Sequence, residues 1–143
     1  MRLVLFDLEG PRRRHFDPVA LSRPLWELRC GMTSLGQKLL DATGAADAAC
    51  FVPPYMAESY RAKTAWKVND PASLAGDDLL VVDPRLKADG AGKLAAGRGE
   101  VGVAPDGEVL YVRASKAEAA RLKADGIEGF LAAAREALPQ VRC

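Results

Sequence analysis

Three short apolar runs punctuate the chain, and each stops at a polar or proline-bearing break. Residues 2–6 (Arg-Leu-Val-Leu-Phe) stop at Asp7, residues 49–52 (Ala-Cys-Phe-Val) at Pro53-Pro54, and residues 79–82 (Leu-Leu-Val-Val) at Asp83-Pro84. Runs of this length and composition, bounded in this way, predict strands. The unbroken apolar character of residues 79–82 predicts a strand covered on both faces, as in a parallel sheet.

Between the runs the period changes. Ser34 and Gln37 have capping-box spacing, Leu35, Leu39 and Leu40 form an apolar face, and Gly44 suits a helix end. Residues 56–63 predict a second helix, with Met56 and Tyr60 on one face. An earlier helix is predicted to start near Pro24 and to break at Gly31. Residues 100–104 and 108–113 flank Pro105-Asp106-Gly107, which predicts a hairpin. Ser115 and Glu118 form another capping box, opening a helix toward Lys123 that ends at Asp125-Gly126. An amphipathic stretch over residues 129–138 stops at Pro139. Strand, helix, strand, helix, strand predicts an α/β fold: a doubly wound, mainly parallel, Rossmann-like sheet with a β-hairpin excursion. Trp26, Trp66, Tyr55 and Tyr60 are expected in the core.

With 143 residues, 49% apolar and 27% charged, the chain suits a single domain spanning residues 1–143 with a real core. No stretch is long and apolar enough to predict a membrane span. The opening apolar run is too short for a signal peptide and meets Asp7 and Glu9 at once, so a cytoplasmic protein is expected. A net charge of +1 argues against nucleic acid as a partner. The three cysteines, Cys30, Cys50 and Cys143, lack CxxC spacing and read as reduced thiols. The single histidine, His15, argues against a histidine-based metal site.

Three features could carry chemistry. The loop after the first run holds Gly10-Pro11-Arg12-Arg13-Arg14. Ligands of doubly wound folds sit beyond the carboxyl ends of the strands, and arginine matches phosphate by paired hydrogen bonds. The same loop also reads as a solvated basic segment. It lacks the Gly-Lys-Ser/Thr ending of a P-loop. Arg23, beside Pro24, and Arg29 lie near a predicted helix start, which favours anions; an ordinary solvated helix start is the other reading. Asp83 ends the strongest run, where a carboxylate suits Mg²⁺ beside a phosphate; a turn-forming Asp-Pro is the other reading. Asp77 and Asp78 read as solvated turn residues ahead of that strand.

Residues 2–7 (Arg-Leu-Val-Leu-Phe-Asp), then Leu21-Ser22-Arg23-Pro24, then Glu27-Leu28-Arg29-Cys30-Gly31-Met32-Thr33, together resemble the opening of a sugar-phosphate nucleotidyltransferase family. Its members are similar to the uridyltransferase half of bifunctional N-acetylglucosamine-1-phosphate uridyltransferase. The likeness covers residues 1–86 well and the remainder loosely. It implies Mg²⁺-dependent transfer of a nucleotidyl group from a nucleoside triphosphate to a sugar 1-phosphate. Gly10, Arg12, Arg13, Arg14 and Arg29 would bind substrate, Arg23 would act on the transferring phosphate, and Asp83 would hold the metal. Family members carry Gly-x-Gly-Thr/Ser-Arg in the first loop and a lysine after the next proline. This chain has Gly10-Pro11-Arg12-Arg13-Arg14, and Arg23 precedes Pro24. The resemblance also implies an N-terminal fragment of a longer protein, with a hexapeptide-repeat acyltransferase domain to follow, and leaves room for a homo-oligomer. The competing expectation is a non-catalytic ligand-binding or assembly module attached to such an acyltransferase.

Overall fold

The computed structural model describes residues 1–6, 29–30, 33–45, 47–62, 64, 66–83, 97–105, 107–122 and 126–142. In chain order these form β1 (Arg2–Phe6), β2 (Arg29–Cys30), β3 (Thr33–Ser34), α1 (Leu35–Thr43), β4 (Asp47–Phe51), α2 (Pro54–Arg61) and β5 (Lys67–Val68). A 3₁₀ turn (Pro71–Leu74), β6 (Leu79–Val82), β7 (Glu100–Val103), β8 (Val109–Ala114), α3 (Lys116–Leu122), α4 (Ile127–Ala137) and β9 (Gln140–Arg142) follow.

Seven strands form one sheet in the order β5-β4-β1-β6-β8-β7-β9. β1 pairs in parallel with both β4 and β6, and β4 pairs in parallel with β5. The three sequence-predicted strands are therefore adjacent, with the first between the other two. β8 runs antiparallel to β6 and β7, while β9 returns parallel to β7. β7 and β8 are the two arms of the expected hairpin. β2 and β3 form a separate short antiparallel ladder.

The parallel core is apolar on both faces because it is buried on both. Val4, Phe6, Ala49, Phe51, Leu79 and Val81 pack in one cluster with Phe130, Leu131 and Ala134 of α4 and Ala119 of α3. The alternate residues Leu3, Leu5, Cys50, Val52, Leu80 and Val82 pack with Leu39 of α1 and Met56, Ala57 and Tyr60 of α2. Period 2 in the strands and period 3.6 in the helices thus meet in two layers around one sheet.

The local signals explain the element ends. Gly44, at φ +65°, takes the left-handed conformation that closes α1, and its N–H donates to the Leu40 carbonyl. Ser115 Oγ accepts the Glu118 N–H at 3.2 Å while Glu118 Oε1 accepts the Ser115 N–H at 3.1 Å, a reciprocal cap that starts α3. Cys50 is buried and not disulfide-bonded.

Three expectations are corrected. Arg29–Cys30, expected in a helix that starts near Pro24 and breaks at Gly31, form strand β2, because their backbone pairs with β3. Tyr55 is 57% exposed rather than in the core. α2 buries Met56, Ala57 and Tyr60, a face set by the spacing i, i+1, i+4, and Tyr55 falls outside it. Trp66 is only half-buried. Among the described strands, the two ends of the sheet differ. At β5 the guanidinium of Arg61 donates to the Val68 carbonyl through Nε and Nη2 at 3.4 and 3.2 Å. At β9 all three residues are exposed, including Val141 at 40%.

Candidate functional site

The parallel strands β1, β4, β5 and β6 all point their carboxyl ends at one edge of the sheet. In folds of this kind ligands bind beyond that edge. Four residues mark the edge: Phe6, Val52, Asn69 and Asp83.

Asp83 is the charged one. It follows Val82 directly, and the pairing Leu5 with Val82 places it beside Phe6 on the central strand. It is 3% exposed. Its backbone N–H donates to the Leu110 carbonyl at 2.8 Å, extending the β6–β8 ladder by one residue. That carbonyl comes from an irregular place in β8. Gly102 pairs with Tyr111, but the next residue, Val103, pairs with Val109. Leu110 is the extra residue of a β-bulge, a device that re-aims neighbouring groups beside functional sites. Neither Leu110 nor the bulge was signalled by the sequence, since residues 109–112 (Val-Leu-Tyr-Val) are apolar throughout and offer no alternation to break.

Asn69 also escaped sequence reasoning. It is held at φ 53°, a conformation that asparagine tolerates better than most residues. Its side chain acts as a strand: Oδ1 accepts the Val52 N–H at 2.7 Å and Nδ2 donates to the Val52 carbonyl at 3.1 Å. The only available signal was the turn-forming Asn69-Asp70-Pro71 sequence. Asp70 caps the following 3₁₀ turn through the Ala72 N–H at 3.0 Å. An open groove of about 500 Å³ runs beside it, lined by Arg61, Trp66, Asn69 and Asp70.

A second cavity of about 530 Å³ lies at the opposite, amino-terminal edge, lined by Met1, Asp78, Arg98, Arg113, Ser115 and Glu118 among others. Size alone favours it, yet three of its charged side chains are engaged within the chain. Arg113 Nη2 pairs with Glu100 at 2.9 Å, Glu118 caps α3, and Asp78 Oδ1 accepts the Lys116 N–H at 2.8 Å. Nearby, Asp77 is held below the ordinary carboxylate range, first by the Asp78 N–H and then by the amino terminus at 3.4 Å. Ligands of open α/β sheets sit at the carboxyl edge, the edge at which Asp83 lies.

Of the other sequence-predicted site residues, Gly10, Arg12, Arg13, Arg14 and Arg23 lie outside the described residues. The backbone of Arg29 pairs with Ser34 in the β2–β3 ladder. The sheet thus places Asp83 beside the end of β1, the strand that leads into residues 7–28. Among the described residues, no three His, Cys, Asp or Glu side chains gather to hold a metal ion. Asp83 is chemically suited to a hard cation that takes most of its ligands from phosphate and water, which is the habit of Mg²⁺.

The chain was compared with known proteins. A family model described as sugar nucleotidyl transferase matches residues 3–140. No curated protein sequence gives a significant match. Among solved structures, Rv0371c from Mycobacterium tuberculosis H37Rv is similar at 15% identity and a TM-score of 0.59, over 99% of this chain and 87% of that one. A nucleotidyl transferase from Methanothermobacter thermautotroptrophicus is similar at 13% identity and a TM-score of 0.54, over 99% and 86%. Molybdopterin-guanine dinucleotide biosynthesis protein A from Archaeoglobus fulgidus is similar at 13% identity and a TM-score of 0.50, over 100% and 83%. At these identities the likeness is one of fold.

Proposed function

Because the chain belongs to the sugar nucleotidyl transferase family, we propose that it transfers a nucleotidyl group from a nucleoside triphosphate to a sugar 1-phosphate. The observation that carries this reading is Asp83, a buried carboxylate at the carboxyl end of central strand β6 and beside the end of β1.

The chemistry asks for position and charge rather than for a covalent intermediate. An oxygen of the sugar phosphate attacks the α-phosphorus and forms the new P–O bond. The bond between that phosphorus and the α,β-bridging oxygen breaks, and pyrophosphate leaves with its electron pair. Holding two anions in line supplies most of the acceleration, and neutralising their oxygens supplies the remainder. In this reading Gly10, Arg12, Arg13, Arg14 and Arg29 bind the phosphates, and Arg23 stabilises the transferring group. Asp83 holds a divalent cation, Mg²⁺ in the simplest case, whose charge when bound offsets the charge accumulating on the phosphate oxygens. A similarly folded protein, Rv0371c, has been crystallised as a manganese complex, which supports a divalent ion in this role.

The test is pyrophosphate release from the four common nucleoside triphosphates, each with a panel of sugar 1-phosphates and Mg²⁺. One nucleotide and one sugar phosphate should together release pyrophosphate, and Asp83→Asn should abolish that release while the protein stays folded. Release with water alone as acceptor would assign the chain to hydrolysis instead.

A further inference from the structure

We infer that Tyr111, seated on Gly102, is the positioning residue that fixes Asp83 at the carboxyl edge of the sheet. This rests on the reading of Asp83 as the metal ligand. β8 meets its two neighbours in step at Tyr111, which pairs with Val82 of β6 and with Gly102 of β7. One residue earlier the step is lost, because Leu110 has no partner of its own on β7. Yet the Leu110 carbonyl holds the Asp83 N–H at 2.8 Å. A bulge leaves one residue outside the ladder and can shift along a strand unless something marks its place.

Tyr111 marks it twice. Its ring lies so close over Gly102 that a Cβ added there would collide with Cε1, Cδ1 and Cζ of the ring. Glycine at position 102 is what makes the seat. At the other end of the side chain, the phenol donates to Glu100 Oε1 at 2.8 Å, and that carboxylate is held by Arg113 at 2.9 Å. The tyrosine is 3% exposed, so ring and hydroxyl are pinned in a packed interior. A side chain fixed in this way forbids a one-residue slip of β8. A slip would carry the Leu110 carbonyl away from the Asp83 N–H and release the backbone that carries the carboxylate.

The experiment titrates the whole chain with Mn²⁺ as the probe and follows the loss of the free-ion paramagnetic resonance signal. Parent, Asp83→Asn, Gly102→Ala and Tyr111→Phe are compared after circular dichroism has shown each to be folded. Outer groups that orient a ligand usually cost 10–100-fold in metal affinity when removed, so Gly102→Ala should bind Mn²⁺ roughly tenfold more weakly than the parent. Tyr111→Phe keeps the ring in its seat and should stay within about threefold, below that range. A purely structural role would lower the melting temperature of Gly102→Ala and leave the affinity of the folded protein unchanged. Parent-like Mn²⁺ affinity in Gly102→Ala, with affinity lost in Asp83→Asn, overturns the inference and keeps Asp83 as ligand. Parent-like affinity in Asp83→Asn overturns the ligand reading itself, and the inference with it. If Gly102→Ala does not fold, Tyr111→Leu empties the seat without a collision and is read by the same outcomes.

Discussion

Arg2 and Asp47 join the first residues of two neighbouring strands: they are register partners of β1 and β4, and Arg2 Nε donates to Asp47 Oδ2 at 2.8 Å. The same guanidinium donates through Nη1 to the Ser73 and Ala75 carbonyls, both at 2.9 Å, tying the 3₁₀ turn to the sheet. Asp47 is held below the ordinary carboxylate range, first by the hydrogen bond from Arg2, which outweighs the cost of burial, and then by the Ala48 N–H.

A pH dependence follows, with its sign fixed. The folded chain gives up the Asp47 proton more readily than the unfolded chain. The stability this contributes is complete above the unfolded value of about 4 and is lost as pH falls through the lower folded value. Asp47 is half in solvent, so the contribution is at most about 1 kcal/mol. Urea midpoints of the parent and Asp47→Asn should differ at pH 7 and converge as pH falls below about 4. A gap that stays constant across that range would show that Asp47 contributes nothing through its charge.

Phe130 is 1% exposed and packs against the sheet from α4. Phe130→Ala removes a large ring from a closed layer and should destabilise by about 3–5 kcal/mol. Chemical denaturation measures it, and a loss below about 1 kcal/mol would mean that α4 is not held by this contact.

The reciprocal cap at Ser115 and Glu118 is exposed, and its effect is local. Ser115→Ala should cost about 0.5–2 kcal/mol, while Ser115→Asp, which restores an acceptor, should recover most of it. Equal losses in both variants would place the energy elsewhere than in the cap.

Arg12, Arg13 and Arg14 test the phosphate assignment independently of Asp83. Replacing all three with alanine should weaken nucleoside triphosphate binding. It should leave the melting temperature of the protein without ligand nearly unchanged. A nucleotide at a hundred times its dissociation constant should stabilise the parent by about 2.7 kcal/mol, and the triple variant should show much less at the same concentration. Equal calorimetric affinity in parent and variant would remove these arginines from the site.

Much of this fold could be read from its core strands, and the reason is burial. Residues 2–6 and 79–82 are apolar at every interior position because helices cover both faces. The hairpin was legible in Pro105-Asp106-Gly107, and the start of α3 in Ser115 and Glu118. β9 was not legible. Gln140, Val141 and Arg142 are all exposed, so no pattern of burial betrays them, and only pairing with β7 makes them a strand. β5 is two residues long and is completed by the side chain of Asn69, which no periodicity can announce. The place of Asp83 at the end of β6 was legible because it closes an apolar run. The bulge that holds it was hidden, because Leu110 is as apolar as its neighbours.

Arg61 has a consequence for how copies of this chain can meet. Its guanidinium occupies the Val68 carbonyl at one margin of the sheet, while the β9 margin is bare among the described residues. Strand-to-strand aggregation needs two adhesive margins on every molecule to propagate. A sheet with one sealed margin can join only margin to like margin, about a twofold axis, and the join then has nowhere to continue. Strand addition at the β5 margin would first have to displace this arginine.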